Sequence, residues 1–387
     1  MTKANLIPIE NGGVTSAKGF RAGGIHAGFR EDPNRLDMAL IEADELCPAA
    51  GVFTQNVFCA APVTVSREHL DGVGYGFARA MVINSGIANA ATGSVGLENA
   101  RRMAGVVAST VGCMPEDVLV ASTGIIGQQL DVSPFETGVP ALHAQLDKTT
   151  GNSAARAIMT TDTVSKEAAV SFESADAEYA GCTFTVGGMA KGSGMIMPNM
   201  ATMVSVLTTD APIPAPLLHK ALSAAANQSF NKVTVDGDTS TNDTLILMSS
   251  GLAKNPEITC EDKNYEKFEN ALYAVMMNLA RETARDGEGA TKLLECIVKG
   301  APDENTARVV AKSVISSSLV KAAMFAADAN WGRILCAMGY SGAQFDPEKV
   351  DLFFESAAGS MQIIKDGVAL DYSEEQATKI LSEPEVT

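Results

Sequence analysis

A mixed α/β fold is the class this sequence predicts, on three observations. Short β-prone runs alternate with amphipathic stretches of helical period along the whole chain. No repeat period and no low-complexity segment interrupts that alternation. With 387 residues, 46% of them apolar, the chain can bury an ample core in one large domain or two.

In chain order, "DVLVAS" (117–122) predicts a buried strand that runs into a turn, "TGIIG". "NSAARAIM" (152–159) predicts a short helix that ends at "TTDT". "MVSVL" (203–207) is β-prone and would place Thr202 at the very start of a strand. A helix over 214–226 follows, with Pro212, Pro214 and Pro216 marking the turn into it and its first residues. "KVTVDG" predicts a strand, and "DGDTSTNDT" (236–244) a structural turn between two strands that can line a site. The same stretch resembles a calcium loop. Counted from Asp236, however, the position that needs a bidentate glutamate is Leu247, inside an apolar run. Over 262–286, Tyr265, Phe268, Leu272, Val275, Met276 and Leu279 follow helical spacing and predict one buried stripe. Residues 290–300 read as a strand and 303–318 as a helix, and Asn330-Trp331 as core packing with a partner for the indole N–H. No linker rich in Pro, Gly and Ser divides the chain.

The formal net charge of −17 argues against nucleic-acid and anionic-membrane partners, both of which want clustered Lys and Arg. No apolar run suits secretion or a membrane span, so a cytoplasmic protein is expected. Seven scattered cysteines (Cys47, Cys59, Cys113, Cys182, Cys260, Cys296 and Cys336), without a C-x-x-C pair, read as reduced thiols, mostly in the core. His26, His69, His143 and His219 form no H-E-x-x-H pair and flank no Gly-x-Ser-x-Gly elbow. A Ser-His-Asp triad and a His- or Cys-based metal site are both unsupported.

The segment "AKGSGMIMPNMATM" (190–203) is too rich in Gly and Met for ordinary helix and too apolar for an ordinary surface loop. It is not a P-loop, because the glycines follow the lysine and Pro198 prevents a regular helix. Read from residues alone, it is either a loop entering a strand or a backbone bond meant to react. In the second case, Thr202 Oγ attacks the Ala201 carbonyl, and an N→O acyl shift followed by hydrolysis cuts the chain. The freed α-amine of Thr202, with a pKa of about 8, can then take the hydroxyl proton itself. The flanking glycines and Pro198 permit the strained backbone such a step uses.

"GGMAKGSGMIMPNMATMVSVLTTDA" resembles the self-cleaving segment of the ornithine acetyltransferase family, also called glutamate N-acetyltransferase or the arginine-biosynthesis bifunctional protein family. "GFRAGGIHAGFR", "AGVFTQNVFCAAPV", "ASTGIIGQQL", "AIMTTDT", "FNKVTVDGDTSTNDT", "DGEGATK" and "AADANWGRILCAMGYSG" resemble it in the same order, over nearly the whole chain. The resemblance implies stacked β-sheets flanked by helices, with the layering of N-terminal-nucleophile hydrolases but a different connectivity. It implies cleavage between Ala201 and Thr202, giving an α chain of 1–201 and a β chain of 202–387, associated as two α and two β chains. Thr202 would be the nucleophile that carries the acetyl group, and Thr123 and Gly124 the oxyanion hole. Thr160 (or Thr161, one residue along), Lys191 and Glu288 would bind substrate, the lysine at a carboxylate and the glutamate at the amine end. The implied reaction is a ping-pong transfer of acetyl from N-acetylornithine to L-glutamate, in arginine biosynthesis, without a metal or organic cofactor. Acetyl-CoA would be a further donor if the enzyme is bifunctional. A related self-processing aminopeptidase is the alternative.

Each implied role has a structural counterpart. Lys191 can cap carbonyls of its own loop. Glu288 can pair with Arg285 or Lys292 on the surface, and Thr123 can serve as a turn hydroxyl. Two departures stand out in "NSGIANAATG" (84–93), where Ile87 and Ala91 replace an expected asparagine and cysteine. The family pattern also implies a tail of a few tens of residues beyond "SEPEVT", ending in an asparagine and a hydroxyl residue that touch substrate. No residue of this sequence answers to that pair.

Overall fold

The computed structural model describes residues 5–197 and 203–387, which form two compact units: residues up to 231 with 238–286, and 232–237 with 287–387. Both Ala201 and Thr202 lie outside the described residues. The unit boundary falls at a different place from the expected division into 1–201 and 202–387.

In the first unit the strands are β1 Ile7–Pro8, β2 Phe20–Ile25, β3 Met38–Phe53, β4 Tyr75–Ile87, β5 Val118–Ile125, β6 Lys166–Glu173, β7 Thr183–Lys191, β8 Val204–Thr209 and β9 Thr244–Ser249. Its helices are α1 Ala61–His69, α2 Gly93–Val111, α3 Ser133–His143, α4 Gly151–Ala157, α5 Ala215–Gln228 and α6 Lys263–Arg285. Among the described residues the nine strands make one hydrogen-bonded sheet in the order β1-β6-β7-β8-β9-β3-β4-β5. It forks at β3, whose first half pairs with β2 and whose second half pairs with β9. This large mixed sheet flanked by helices is the α/β class expected. Every residue of β8 and β9 is buried, as in strands covered on both faces. Alternate side chains of β3, β4 and β5 serve two separate core clusters, one with Ile41, Met81 and Leu119, the other with Leu40, Val82 and Val120.

β7 and β8 are antiparallel neighbours from Val186↔Thr209 to Lys191↔Val204. Residues 192–203 therefore join two adjacent strand ends, and the expected strand at 203–207 is β8. The expected helices at 152–159 and 214–226 are α4 and α5. Helix α6 carries its six predicted stripe residues buried, and Asp262 caps it by accepting from the Tyr265 N–H at 2.9 Å.

Two expectations fail here. "KVTVDG" is not a strand: a short 3₁₀ turn ends at Lys232, and irregular backbone follows as far as β9. Its Val and Thr suit a pleated surface, but β propensity needs a strand edge to pair with. At Val235 the carbonyl is instead taken by Lys321 Nζ at 2.6 Å. The turn at 236–244 thus has a strand on one side alone. Nor are the cysteines mostly core. All seven are free, but Cys47 is the buried one, and Cys260 and Cys336 are exposed.

The second unit contains β10 Leu293–Leu294, α7 Glu304–Ser316, α8 Ser318–Phe325, α9 Trp331–Gly339, β11 Leu352–Ser356, β12 Gly359–Lys365, β13 Val368–Ala369, α10 Glu374–Leu381 and β14 Glu385–Val386. Strands β11, β12 and β13 form an antiparallel sheet, and the helices pack on it around Met324, Ile334, Ile363 and Ile380. The strand expected over 290–300 shrinks to two residues, because its partner is the two-residue β14. Helix 303–318 stops at Ser316, and Ser317 caps α8 by accepting from the Val320 N–H at 3.3 Å. Trp331 and Tyr372 both pack against this core.

Candidate active site

The residues of interest in the first unit lie at strand ends. Lys191 is the last residue of β7 and Thr123 lies near the end of β5, which runs to Ile125 before turning. Lys191 Nζ donates to Thr123 Oγ1 at 3.3 Å in a buried contact across 68 residues of sequence. The lysine is therefore not an exposed loop cap, and the threonine is not a turn hydroxyl. Gly124 pairs with Gly86 of β4 in the parallel β4–β5 ladder, at φ +135°. A Cβ there would lie 2.2 Å from the Gly86 carbonyl carbon, so only glycine fits.

Asp162 ties Thr160 to the start of the 192–203 connection. Its Oδ2 accepts from the Thr160 N–H at 2.9 Å, and its Oδ1 accepts from the Gly192 N–H at 2.7 Å. Thr160 is half-buried and Thr161 exposed. Lys166, fully buried, bridges Asp162 at 2.7 Å and Asp286 at 2.6 Å. Asp286 also accepts from the N–H and hydroxyl of Thr163, and its carbonyl accepts from Ser193 Oγ at 2.7 Å. Further along, the Met197 carbonyl accepts from Thr239 Oγ1 at 2.8 Å, and Ile196 bridges Thr239. The described part of the 192–203 connection is thus anchored at both ends.

Around this centre the charges are buried and coupled. Burial pushes the Lys191 ammonium below its ordinary pKa, against the pull of Asp162 and Asp243. Burial alone would raise Asp162, but Lys191, Lys166 and the hydrogen bonds outweigh it and its pKa is lowered. Asp243 is pushed well above the carboxylate range by burial, with Lys191 opposing. Arg30, lowered chiefly by burial, donates to the Met159 carbonyl at 2.9 Å and the Ser85 hydroxyl at 3.3 Å. Asn242 Nδ2 donates to the carbonyls of Ala88 and Ser122, at 2.6 and 2.8 Å, so the 236–244 turn does line this centre.

Lys191, Thr123, Gly124 and Thr160 are therefore brought together. Glu288 belongs to the second unit and is exposed there; Arg285 pairs with Glu282, and Lys292 donates to the Leu381 carbonyl. Of the two departures, Ile87 is buried, with its carbonyl accepting from Asn84 Nδ2, and Ala91 holds a positive φ of 56°. Sequence reasoning missed Asp162, Lys166, Asp243 and Asp286. Asp162 and Asp243 sit inside the quoted motifs "AIMTTDT" and "DGDTSTNDT", where a carboxylate reads as turn chemistry until the fold buries it. Among the described residues, no group of three or more His, Cys, Asp and Glu could hold a metal, and no helix is long and apolar enough to cross a membrane.

A family profile, that of the ArgJ family, matches residues 21–387. The arginine biosynthesis bifunctional protein ArgJ of Symbiobacterium thermophilum is 48% identical over 376 residues, 97% of this chain and 90% of that protein. The protein of the same name from Thermotoga neapolitana is 46% identical, over 95% of this chain and 91% of its own length. A third, from Dehalococcoides mccartyi, is 43% identical over 99% of this chain and 92% of its own length.

Proposed function

The chain belongs to the ArgJ family, and from that premise we propose that it is a self-cleaving acetyltransferase of arginine biosynthesis, moving acetyl from N-acetylornithine to L-glutamate. The observation that carries the reading is the buried contact of Lys191 Nζ with Thr123 Oγ1, 3.3 Å, beside Gly124 and the Asp162–Thr160 link. A buried cation next to a hydroxyl at fixed strand ends suits a carboxylate-bearing substrate and a developing oxyanion. Neither needs a metal or an organic cofactor.

In this mechanism the Ala201–Thr202 bond is cut by the chain itself, and Thr202 then has both a hydroxyl and a free α-amine. Its Oγ attacks the acetyl carbonyl while Thr123 and Gly124 hold the oxyanion; ornithine leaves and glutamate takes the acetyl group. Covalent transfer of this kind divides one hard step into two easier ones. Lys191, Thr160 and Glu288 bind the amino-acid part, acetyl-CoA is a second donor, and the enzyme works in the cytoplasm as two α and two β chains.

The test is an assay of acetyl transfer to glutamate from N-acetylornithine and from acetyl-CoA, with a peptide substrate in parallel. Denaturing electrophoresis is expected to show two bands, the smaller beginning at Thr202, and a single band for Thr202→Ala. Peptide hydrolysis without acetyl transfer would replace the reading by an aminopeptidase. Active protein still joined across 201–202 would end the self-cleavage mechanism.

A further inference from the structure

Two residues that the functional reading gives to substrate, Thr160 and Lys191, come from segments that regular structure alone does not hold in place. Thr160 stands in the irregular backbone between α4 and β6. Lys191 occupies the last rung of the β7–β8 ladder, Lys191↔Val204, and Gly192, the next residue, lies beyond it. A backbone N–H that leaves a ladder in a buried place needs another acceptor.

One carboxylate supplies that acceptor to both segments. Asp162, whose side chain is fully buried, accepts from the Gly192 N–H through Oδ1 at 2.7 Å and from the Thr160 N–H through Oδ2 at 2.9 Å. The first bond fixes the peptide plane that joins Lys191 to Gly192, and the second fixes the plane that enters Thr160. Arg35 Nη2 donates to the Thr160 carbonyl at 2.6 Å, so that residue's backbone is gripped on both sides. Lys166 Nζ donates to Asp162 Oδ1 at 2.7 Å and to Asp286 Oδ2 at 2.6 Å, which keeps the carboxylate from turning. Bonds of this charge-assisted kind are short and directional. An asparagine could not replace the carboxylate, because it has one accepting oxygen and would turn an N–H toward one of the two backbone donors.

We propose that Asp162 is the positioning residue of the subsite for the substrate's carboxylate: by holding the peptide planes at Thr160 and Lys191 on one rigid side chain, it sets where those two residues stand relative to each other. This rests on the functional reading above, under which both bind the amino-acid part of the substrate. The contacts of Asp162 are to backbone and to Lys166, so its contribution belongs to binding. Asp286, at the far end of the same buried chain, accepts from Lys166 and Thr163 but from neither Thr160 nor Gly192. It shares the fastening without the placement, and this difference makes the role testable.

The experiment compares Asp162→Asn with the wild type in steady-state acetyl transfer and in calorimetric binding of ornithine. Lys166 keeps Asp286 as its partner in the variant, so the variant is expected to fold. KM for N-acetylornithine and for glutamate should rise at least about 10-fold, the scale of a misplaced binding group. The ornithine Kd should rise in step, while kcat stays within about threefold. Thr163→Val, which loosens the same chain at Asp286, is the control and should lower stability in a urea melt with KM as in the wild type. Any one of three results overturns the proposal: KM and Kd within about twofold of wild type in folded Asp162→Asn, a loss confined to kcat, or an equal rise of KM in Thr163→Val. If Asp162→Asn fails to fold, the same substitution together with Lys166→Met removes both buried charges of the pair and is read in the same way. A wild type that binds ornithine but transfers no acetyl defeats the functional reading alone, and the Kd values then decide the positioning. A wild type that binds no ornithine overturns both.

Discussion

Lys191 shows what burial does to a single side chain. Its ammonium feels the charges of Asp162 and Asp243 and donates to Thr123, so its replacement touches both binding and stability. Lys191→Met is expected to raise KM for the carboxylate substrate by roughly 10–100-fold, the worth of one charge-assisted hydrogen bond. The fold should lose only about 1–2 kcal/mol, because Asp162 keeps Lys166, Thr160 and Gly192 as partners. Steady-state kinetics beside a urea melt separates the two effects, and an unchanged KM would remove Lys191 from the site. Thr123→Ala should slow acyl transfer by roughly 100-fold, the usual cost of one oxyanion donor, and full activity would move that role elsewhere. Gly124 answers to a different constraint. With the Gly86 carbonyl carbon 2.2 Å from where a methyl would sit, Gly124→Ala must part the β4–β5 ladder and should cost at least about 1–3 kcal/mol. A thermal melt within a degree of wild type would contradict that crowding.

At the scale of elements, the buried chain of charges Asp162–Lys166–Asp286 is a fastening. It ties the turn after α4 to the start of β6 and the end of α6. Both aspartates have lowered pKa values, against the upward push of burial, chiefly through Lys191 and Lys166 for Asp162 and through Lys166 and Thr163 for Asp286. A carboxylate lowered in the folded state stabilises above its unfolded pKa of about 4 and loses that stabilisation as pH falls through the folded value. Stability should therefore fall with pH below about 4, and less steeply in Asp162→Asn, which urea melts across that range would check. These links were hidden in the sequence, because a buried ion pair depends on which loops the fold superposes. Helix α6 was legible, since six apolar residues at helical spacing declare a face and Asp262 declares its start. "KVTVDG" was misleading for the opposite reason: β propensity shows itself locally, but the strand edge it needs does not. Lys191 and Thr123 could be named from motifs, whereas their contact, and the buried Asp243 whose charge Lys191 opposes, needed distant strand ends to meet.

Over the whole molecule, the two compact units and the expected two product chains divide the sequence at different places. A break at 201–202 would fall within the first unit, in the connection between β7 and β8, two strands paired from Val186↔Thr209 to Lys191↔Val204. Each product would then hold one side of a buried ladder, with β8 also paired to β9 of its own chain. The two pieces should elute together on size exclusion and part only in denaturant. The connection also decides what happens after unfolding. While residues 192–203 are continuous, closing that loop costs only the slowly growing entropy of a short segment. Once they are severed, the strands must find each other by diffusion, and recovery becomes a matter of concentration. Uncut Thr202→Ala should regain its structure from urea with a yield less sensitive to dilution than that of the processed enzyme, whose two pieces must also find each other. The molecule that works would then be one whose assembly can no longer be repeated as it was first made.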